Sequence, residues 1–403
     1  MDFSRNIKIL TWQGFFVGFS LWAPIMAIYF AKVTGSYVLG LSVFSIAMIS
    51  SAVFEIPTGI FSDLIGRKYT TILSGLFLSL MGVAYAIGLN YGWLVAGAIL
   101  EGLARALNSG NNDALLYDSL NRSDRKEELE KYMGRIGAAE QWASGIAAVL
   151  GGILAAISFK LAMWLSVIPL LLCFITSWWL LEIKNEEKGE GNVYLHLKEA
   201  ISNFVKNKKI RYLSLSSIIG FGLGEAGFQF TNVFVATLWP LWAIGTARMF
   251  SNAGAAIGFG FSGKLLKKFR AVKILMFEQI SSKIISLFSL IFPTVASPAL
   301  MSTTSLLYGP SMVAENSLFQ REFSDKQRAT MGSLNSLGRS IFFAIAALGL
   351  GWLADLTSPR IALIGGQILG ITSVWLTWKL LKLFPTAVEN LADDTTKFTH
   401  KTV

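Results

Sequence analysis

Gly59-Ile60-Phe61-Ser62-Asp63-Leu64-Ile65-Gly66-Arg67-Lys68 is the stretch on which the reading of this chain turns. It follows the pattern G-x-x-x-D-x-x-G-R-K and joins two long apolar runs, Val38–Phe61 and Thr70–Leu89. Runs of this length are what a helix needs to cross a bilayer, about 20 mostly apolar residues. The ten residues therefore read as a tight polar turn between two membrane spans. Gly66 permits the turn and Gly59 permits close helix contact. Asp63 suits a helix N-terminus or the positive end of a neighbouring helix dipole. Arg67 and Lys68 mark the side that stays inside the cell and can pair with carboxylates.

The same pattern extends outward from this turn. Twelve apolar runs are present: Ile9–Ala31, Val38–Phe61, Thr70–Leu89, Trp93–Leu116, Met133–Ala156, Leu161–Leu181, Tyr212–Val235, Leu241–Leu265, Val272–Phe292, Ala299–Phe319, Thr330–Leu353 and Ile361–Leu383. The 403 residues are 53% hydrophobic and only 15% charged, against about 25% charged in a soluble domain. That balance excludes a soluble enzyme and a disordered chain. Long continuous runs exclude a membrane barrel, whose strands alternate over short segments. The expected fold is an all-α polytopic membrane protein. The first run is expected to act as an uncleaved signal anchor, being too long for a signal-peptide core and lacking a small-x-small cleavage site.

Charge placement orients the chain. With the N-terminus inside, 28 of the 35 Lys and Arg fall in cytoplasmic segments, and only Lys32, Lys160 and Arg360 lie opposite. Both termini are expected to be cytoplasmic, in a cell (plasma or inner) membrane. The formal net charge of +10 is then an orientation signal, and no nucleic-acid partner is expected. Cys173 is the single cysteine, and His196 and His400 lie apart in polar segments. Neither a disulfide framework nor a metal site is expected. Trp93, Trp239 and Trp242 near the outer boundary and Trp12 near the inner one read as interfacial anchors.

The chain also repeats itself. Phe61–Tyr69 returns as Phe261–Phe269, and Ser123-Asp124-Arg125-Lys126 ahead of Met133-Gly134 returns as Ser324-Asp325-Lys326 ahead of Met331-Gly332. Two matches in the same order at offsets near half the length indicate a duplicated six-span unit. An even number of spans keeps its orientation on duplication, so the halves are parallel. The expected organisation is a six-helix bundle over 1–182, a cytoplasmic linker over 183–210, a second bundle over 211–385 and a cytoplasmic tail over 386–403. Within the linker, Leu197, Ile201, Phe204 and Val205 recur at helical spacing beside lysines. They suit either a helix lying on the inner membrane surface or a linker helix touching only protein.

At this point the residues carry a family resemblance. The Gly59–Lys68 motif, its place between spans two and three, the twelve spans and the repeat together resemble a twelve-span transporter of the major facilitator superfamily, from about Lys8 to Leu383. The resemblance implies that Gly59, Asp63, Gly66, Arg67 and Lys68 form a latch that locks the halves together on the cytoplasmic side when the cavity faces outward. It further implies that Asp118, at the cytoplasmic end of span four, pairs with the loop arginine. The second copy has Gly263 where Asp63 stands and is expected only to orient the chain. Arg105 with Gly110 resembles the family's R-x-x-x-x-G element. The glycine–proline motif that many drug antiporters carry in span five is not matched, which puts that assignment in doubt.

Ionisable groups within the spans each need a reason, since one at mid-bilayer costs at least a few kcal/mol. Glu101 and Arg105 are one helical turn apart and can pair, either as a gate or proton relay or as a structural ion pair. Glu225 sits among Gly220, Gly222, Gly224 and Gly227 in span seven. It is a proton-coupling candidate, with an ion pair to Arg248 or Arg339 as the alternative. The resemblance places spans one, four, seven and ten around the cavity, which favours Gln13 and Gln229, flanked by Phe228 and Phe230. Glu140 with Gln141, and Asn335 with Arg339, are further cavity candidates. Glu278 and Lys283, five residues apart, are expected to find partners elsewhere. Glu55, near the inner end of span two, is expected to support the latch, and Asp113, Glu315 and Asn316 are expected in the cytoplasmic gates.

These readings converge on a secondary transporter that moves a small molecule by alternating access. Proton coupling is expected and no cofactor is required, since no phosphate-binding G-K-[ST] loop is present. An aromatic, sparsely charged cavity suits efflux of an amphipathic or drug-like compound. Uptake of a sugar or metabolite is the alternative. A non-transporting sensor on the same fold, or a membrane-embedded transferase, stands as the different class, although neither a soluble sensing domain nor a clustered catalytic set is seen. A monomer in the lipid bilayer is expected.

Overall fold

The computed structural model describes residues 3–183, 204, 207–322 and 325–383, without the side chains of residues 56, 60, 63, 130 and 321–330. The expected linker helix therefore lies outside the described residues apart from Phe204, as do His196, His400 and the tail. Phe204 itself packs beside Ile210 and Met331.

Sixteen α-helices and no strand occur among the described residues. They account for the twelve expected spans, but four of those spans are broken. Span one divides into α1 (Ser4–Gly18) and α2 (Met26–Thr34), with Pro24 in the break. Spans two and three are α3 (Tyr37–Ile65) and α4 (Arg67–Ile87). Span four divides into α5 (Tyr91–Asn108) and α6 (Asn111–Asn121) at Gly110. The next four are α7 (Leu129–Ile157), α8 (Phe159–Ser177), α9 (Lys208–Val235) and α10 (Leu241–Lys268). Then come α11 (Ala271–Ile291), and span ten as α12 (Ser297–Ser302), a 3-10 turn and α13 (Tyr308–Glu322). Last are α14 (Asp325–Leu356) and span twelve, divided by Gly370 into α15 (Pro359–Leu369) and α16 (Ile371–Leu383).

Seven helical stretches are long and apolar enough to cross a membrane by length and composition. The spans outside that set are one, four, seven, eight and ten. Four of these are the spans that the resemblance puts around the cavity. Three of them, spans one, four and ten, are broken, which suits backbone that is buried in protein or lines a cavity, since exposed backbone groups are not tolerated in lipid.

The turn between α3 and α4 is tighter than the sequence suggests. α3 runs on to Ile65, so Asp63 lies in its last turn, and Gly66 is the single residue between the helices. Its φ of 93° is reached readily only by glycine. A side chain there would also collide with the Glu182 carboxylate, 2.6 Å from where a Cβ would stand.

The chain forms two compact units. The first holds Met1–Glu190 together with Gln229–Met249 and Ala347–Pro359, and the second holds Gly191–Phe228, Phe250–Ala346 and Arg360–Val403. The first unit is thus larger than the expected bundle over 1–182. Its core packs Trp22, Phe30, Tyr85, Leu94, Met163 and Val167 between α2, α3, α4, α5 and α8. Small residues set the helix spacing, as they do in membranes: a Cβ on Gly75 would stand 2.8 Å from the Phe174 backbone. The second unit packs Leu213, Val272, Leu275, Ala314, Leu318 and Leu380.

Candidate functional site

Around the Gly66 turn, polar side chains from α3, α4 and α6 and from the segment after α8 converge within the first unit. Arg67 Nε lies 2.9 Å from Asp118 Oδ2, the pairing the resemblance implies. Both oxygens of Glu182 accept from the first backbone N–H groups of α4, Arg67 and Lys68, each at 3.0 Å. A carboxylate at a helix N-terminus satisfies orphan donors and meets the positive end of the dipole. Asn111, 4% exposed, accepts from Ser62 Oγ and donates to the Arg67 carbonyl and to Thr71 Oγ1. Sequence reasoning missed Glu182, which it placed only as the last residue of the first bundle with no role, and Asn111, which no local spacing singles out. The Asp63 side chain lies outside the described residues. Gly59 departs from expectation, because nothing lies within 4 Å of where its Cβ would be.

Deeper in the first unit, Arg105 Nη2 contacts Glu101 Oε1 at 2.5 Å. The second Glu101 oxygen accepts from the Tyr85 hydroxyl at 2.7 Å. Tyr85 is fully buried and Glu101 is 8% exposed, so the carboxylate is held on both oxygens. Tyr85 belongs to α4, and no spacing in the sequence connects it to Glu101. Gln13 is not at an open wall: it is 3% exposed, and its amide donates to Ser177 Oγ on α8 at 2.8 Å. Glu140 and Gln141 are exposed on α7, and the Glu140 backbone packs on Gly18.

In the second unit, Arg339 of α14 donates to Glu315 of α13 and to Ser217 of α9. Its guanidinium also stands over the Phe221 ring, 5.3 Å from the centroid. Arg339 and Glu315, which the sequence reading treated separately, are thus one group. Asn335, one turn away on α14, is 6% exposed. Glu225 is half-buried on α9. Of its neighbouring glycines, Gly222 packs on the Phe343 backbone, whereas Gly224 and Gly227 have open space beside them. Glu225, Glu315, Arg339 and Glu278 all lie close enough to the Tyr308 hydroxyl to act on it electrostatically. Glu278 accepts from Ser311 Oγ at 3.4 Å and is within electrostatic reach of Lys283. Each of the two has a neighbour elsewhere, as expected: Ser311 for Glu278 and Gly370 for Lys283. The Lys283 Nζ lies 2.7 Å from where a Gly370 Cβ would stand. Phe228 is 37% exposed and Gln229 is half-buried.

A further polar cluster joins the first unit at the end opposite the Gly66 turn. Asp355 Oδ1 accepts from the Tyr37 backbone N–H at 2.6 Å. Its Oδ2 accepts from Ser36 Oγ at 2.6 Å and from the Val38 N–H at 3.0 Å. The carboxylate at the end of α14 therefore caps the N-terminus of α3. Gly351, one turn before it, lies against Val38, and Tyr37 meets the Phe230 ring edge-on at 5.5 Å. In the sequence Asp355 falls just past an apolar run, where an acidic residue draws no notice.

The sequence matches the Major Facilitator Superfamily over residues 10–347. Among solved structures, the nucleoside transporter NupG superposes with a TM-score of 0.77 at 15% identity, over 95% of this chain and 99% of that one. A bacterial homologue of the human lysosomal transporter Spinster, inward-facing and unoccupied, superposes with a TM-score of 0.75 at 12% identity, over 96% and 99%. An uncharacterized transporter of Buchnera aphidicola subsp. Acyrthosiphon pisum is 30% identical over 196 residues, which is 48% of each chain, so the match spans about half the length of that relative. The chain belongs to the major facilitator superfamily. Its fold is the twelve-span all-α membrane fold of that family, in two six-helix halves, and the family is one of transporters and not a class of enzymes.

Proposed function

We propose that the protein is a proton-coupled secondary transporter that moves a small organic molecule by alternating access, without a cofactor. The observation that carries this reading is a carboxylate–arginine pair within the spans of each unit, Glu101–Arg105 and Glu315–Arg339. Charges at membrane depth are costly, and transporters keep them where ions or protons are handled. Glu225, with open space beside Gly224 and Gly227, is the coupling carboxylate in this scheme. Phe228, Gln229 and Asn335 contribute to the substrate site. Efflux of an amphipathic compound from the cytoplasm is the favoured direction, and uptake of a sugar or metabolite is the competing one. The Gly66 end is cytoplasmic, in keeping with the positive residues that flank it, and Asp63, Arg67, Lys68 and Asp118 act there as the latch.

Alternating access requires the contact at the other end to separate. The Asp355 cap on α3 is the bond that opens when the carrier faces outward. An anion at a helix N-terminus contributes about 0.3–1 kcal/mol and up to ~2 kcal/mol when partly buried. Asp355→Asn keeps the shape and removes the charge, and is expected to raise the outward-open population roughly fivefold. Reaction of a Val38→Cys thiol with a membrane-impermeant reagent reads this directly, since the native Cys173 is buried. Equal labelling with and without Asp355→Asn removes the gate.

Transport itself is tested with purified protein in vesicles carrying an imposed proton gradient and a broad solute panel. Glu225→Gln should abolish gradient-driven flux while leaving solute exchange partly intact. Unchanged driven flux in that variant excludes Glu225, and no flux of any solute in the wild type excludes the transporter reading.

A further inference from the structure

At the Gly66 end of the first unit, the start of α1 and the start of α7 enclose a cavity of about 310 Å³. Lys8, Trp12, Arg125, Tyr132 and Arg135 are among its lining residues. Three cations converge on one small volume here, with a fourth close by. The guanidinium carbons of Arg125 and Arg135 and the ammonium of Lys131 stand 5.2, 5.3 and 5.7 Å from the centre of the Tyr132 ring. Packing like charges this closely is unfavourable unless negative charge joins them.

Glu128 supplies one negative charge. It accepts from Arg125 Nε and Nη2 at 2.9 and 3.2 Å and from Lys131 Nζ at 2.6 Å. That carboxylate is shared by two cations, so the cluster of four stays positive. Arg125 Nη2 also donates to the Tyr132 hydroxyl at 2.5 Å. The Glu128 carboxylate first, and the Tyr132 hydroxyl second, hold the Arg125 guanidinium more firmly protonated than an ordinary arginine. Because the Tyr132 oxygen accepts that bond, its own proton remains available for donation. The wall thus offers the Arg135 guanidinium, the remaining Nη1 of Arg125, the Lys8 ammonium and a phenol donor, a set that matches the oxygens of a phosphate. Trp12, 58% exposed, adds a large ring of the kind that sits at headgroup level.

We propose that this cavity is a binding site for a phosphate-bearing anion, of the kind presented by an anionic phospholipid headgroup or by a soluble phosphate. Basic residues that serve only to orient a membrane protein need no cavity, and these line one. A basic pocket between helices at the cytoplasmic surface is the physical arrangement that retains an anionic headgroup. A bound anion would tie the start of α1 to the start of α7, helices that already touch where Gly14 meets Ile136.

The full chain in neutral detergent distinguishes the sources. Melting temperature and native mass spectrometry are followed while phosphatidylglycerol, phosphatidylcholine with the same acyl chains, or inorganic phosphate is added. Selective retention of phosphatidylglycerol, weakened about 30-fold in Lys8→Gln/Arg135→Gln, assigns the site to lipid, each cation contributing roughly fivefold. Stabilisation by inorganic phosphate that the same variant loses assigns it to a soluble anion. Equal response to both lipids with none to phosphate overturns the proposal, as does a variant that binds like wild type. If the double variant fails to fold, Lys8→Gln alone, at an exposed position on α1, should weaken binding about fivefold, and unchanged binding there also overturns it. The readout is binding, so it stands or falls independently of transport.

Discussion

The two arginine–carboxylate pairs are built differently. Glu101 and Arg105 belong to one helix, a turn apart, and contact at 2.5 Å. Glu315 and Arg339 come from two helices, and Ser217 on a third holds the same guanidinium. In the first pair the burden of burial is uneven: the arginine side chain is 53% exposed and the glutamate 10%. In the second both partners are about a quarter exposed, 27% and 22%. An intrahelical pair moves with its helix and survives a shift of neighbouring helices. An interhelical pair must break or re-form when its helices slide. The second pair is therefore the one positioned to register relative motion of α9, α13 and α14. The first is positioned to hold one carboxylate in a constant setting.

Breaking the interhelical pair should have the largest effect. Arg339→Gln leaves Glu315 and Ser217 without their shared partner in a half-buried setting. A fully buried pair broken on one side loses 3–5 kcal/mol; with partial exposure about 2–3 kcal/mol is expected, read from the melting transition in detergent. Glu315→Arg/Arg339→Glu should recover at least half of that loss. A double variant no better than the single one would show that the pair is not the unit of stability.

The intrahelical pair should matter less for folding. Glu101→Gln keeps an acceptor for Tyr85 and leaves an arginine that already reaches solvent. Stability should fall by about 1 kcal/mol, while gradient-driven transport falls by tenfold or more if Glu101 handles protons. Loss of stability matching that of Arg339→Gln would erase the contrast between the two pairs. Tyr85→Phe is the finest probe. It removes one hydrogen bond from a carboxylate that keeps its arginine, and about 1 kcal/mol or less is expected. A larger loss would mean that Tyr85 and not Arg105 is the main support of Glu101.

What was legible in the sequence follows the same division. The Glu101–Arg105 pair could be read because i and i+4 share a helix face. The Arg67–Asp118 contact was expected only through the family resemblance. Tyr85, Glu182, Asn111 and Asp355 could not be read, because each finds its partner across helices 16 to 319 residues away in the chain. Gln13 misled for the same reason. A glutamine in an apolar run suggests a cavity wall, but Ser177 on α8 supplies an interior partner. The broken spans were also hidden, since hydropathy over 20 residues does not register a break of one or two residues such as Gly370 or Ser109-Gly110.

The sequence by itself determined the class of this protein. Apolar length, the one-sided distribution of Lys and Arg, the Gly59–Lys68 motif and the internal repeat are properties of the chain read in order. They depend on the bilayer as a solvent and not on which helix touches which. Tertiary structure alone decided the partners: Glu182 on the N-terminus of α4, Tyr85 on Glu101, Arg339 between Glu315 and Ser217, and Asp355 on the N-terminus of α3. A polar group inside a membrane must be satisfied by whatever packing brings within about 3 Å, and that neighbour is a property of the fold.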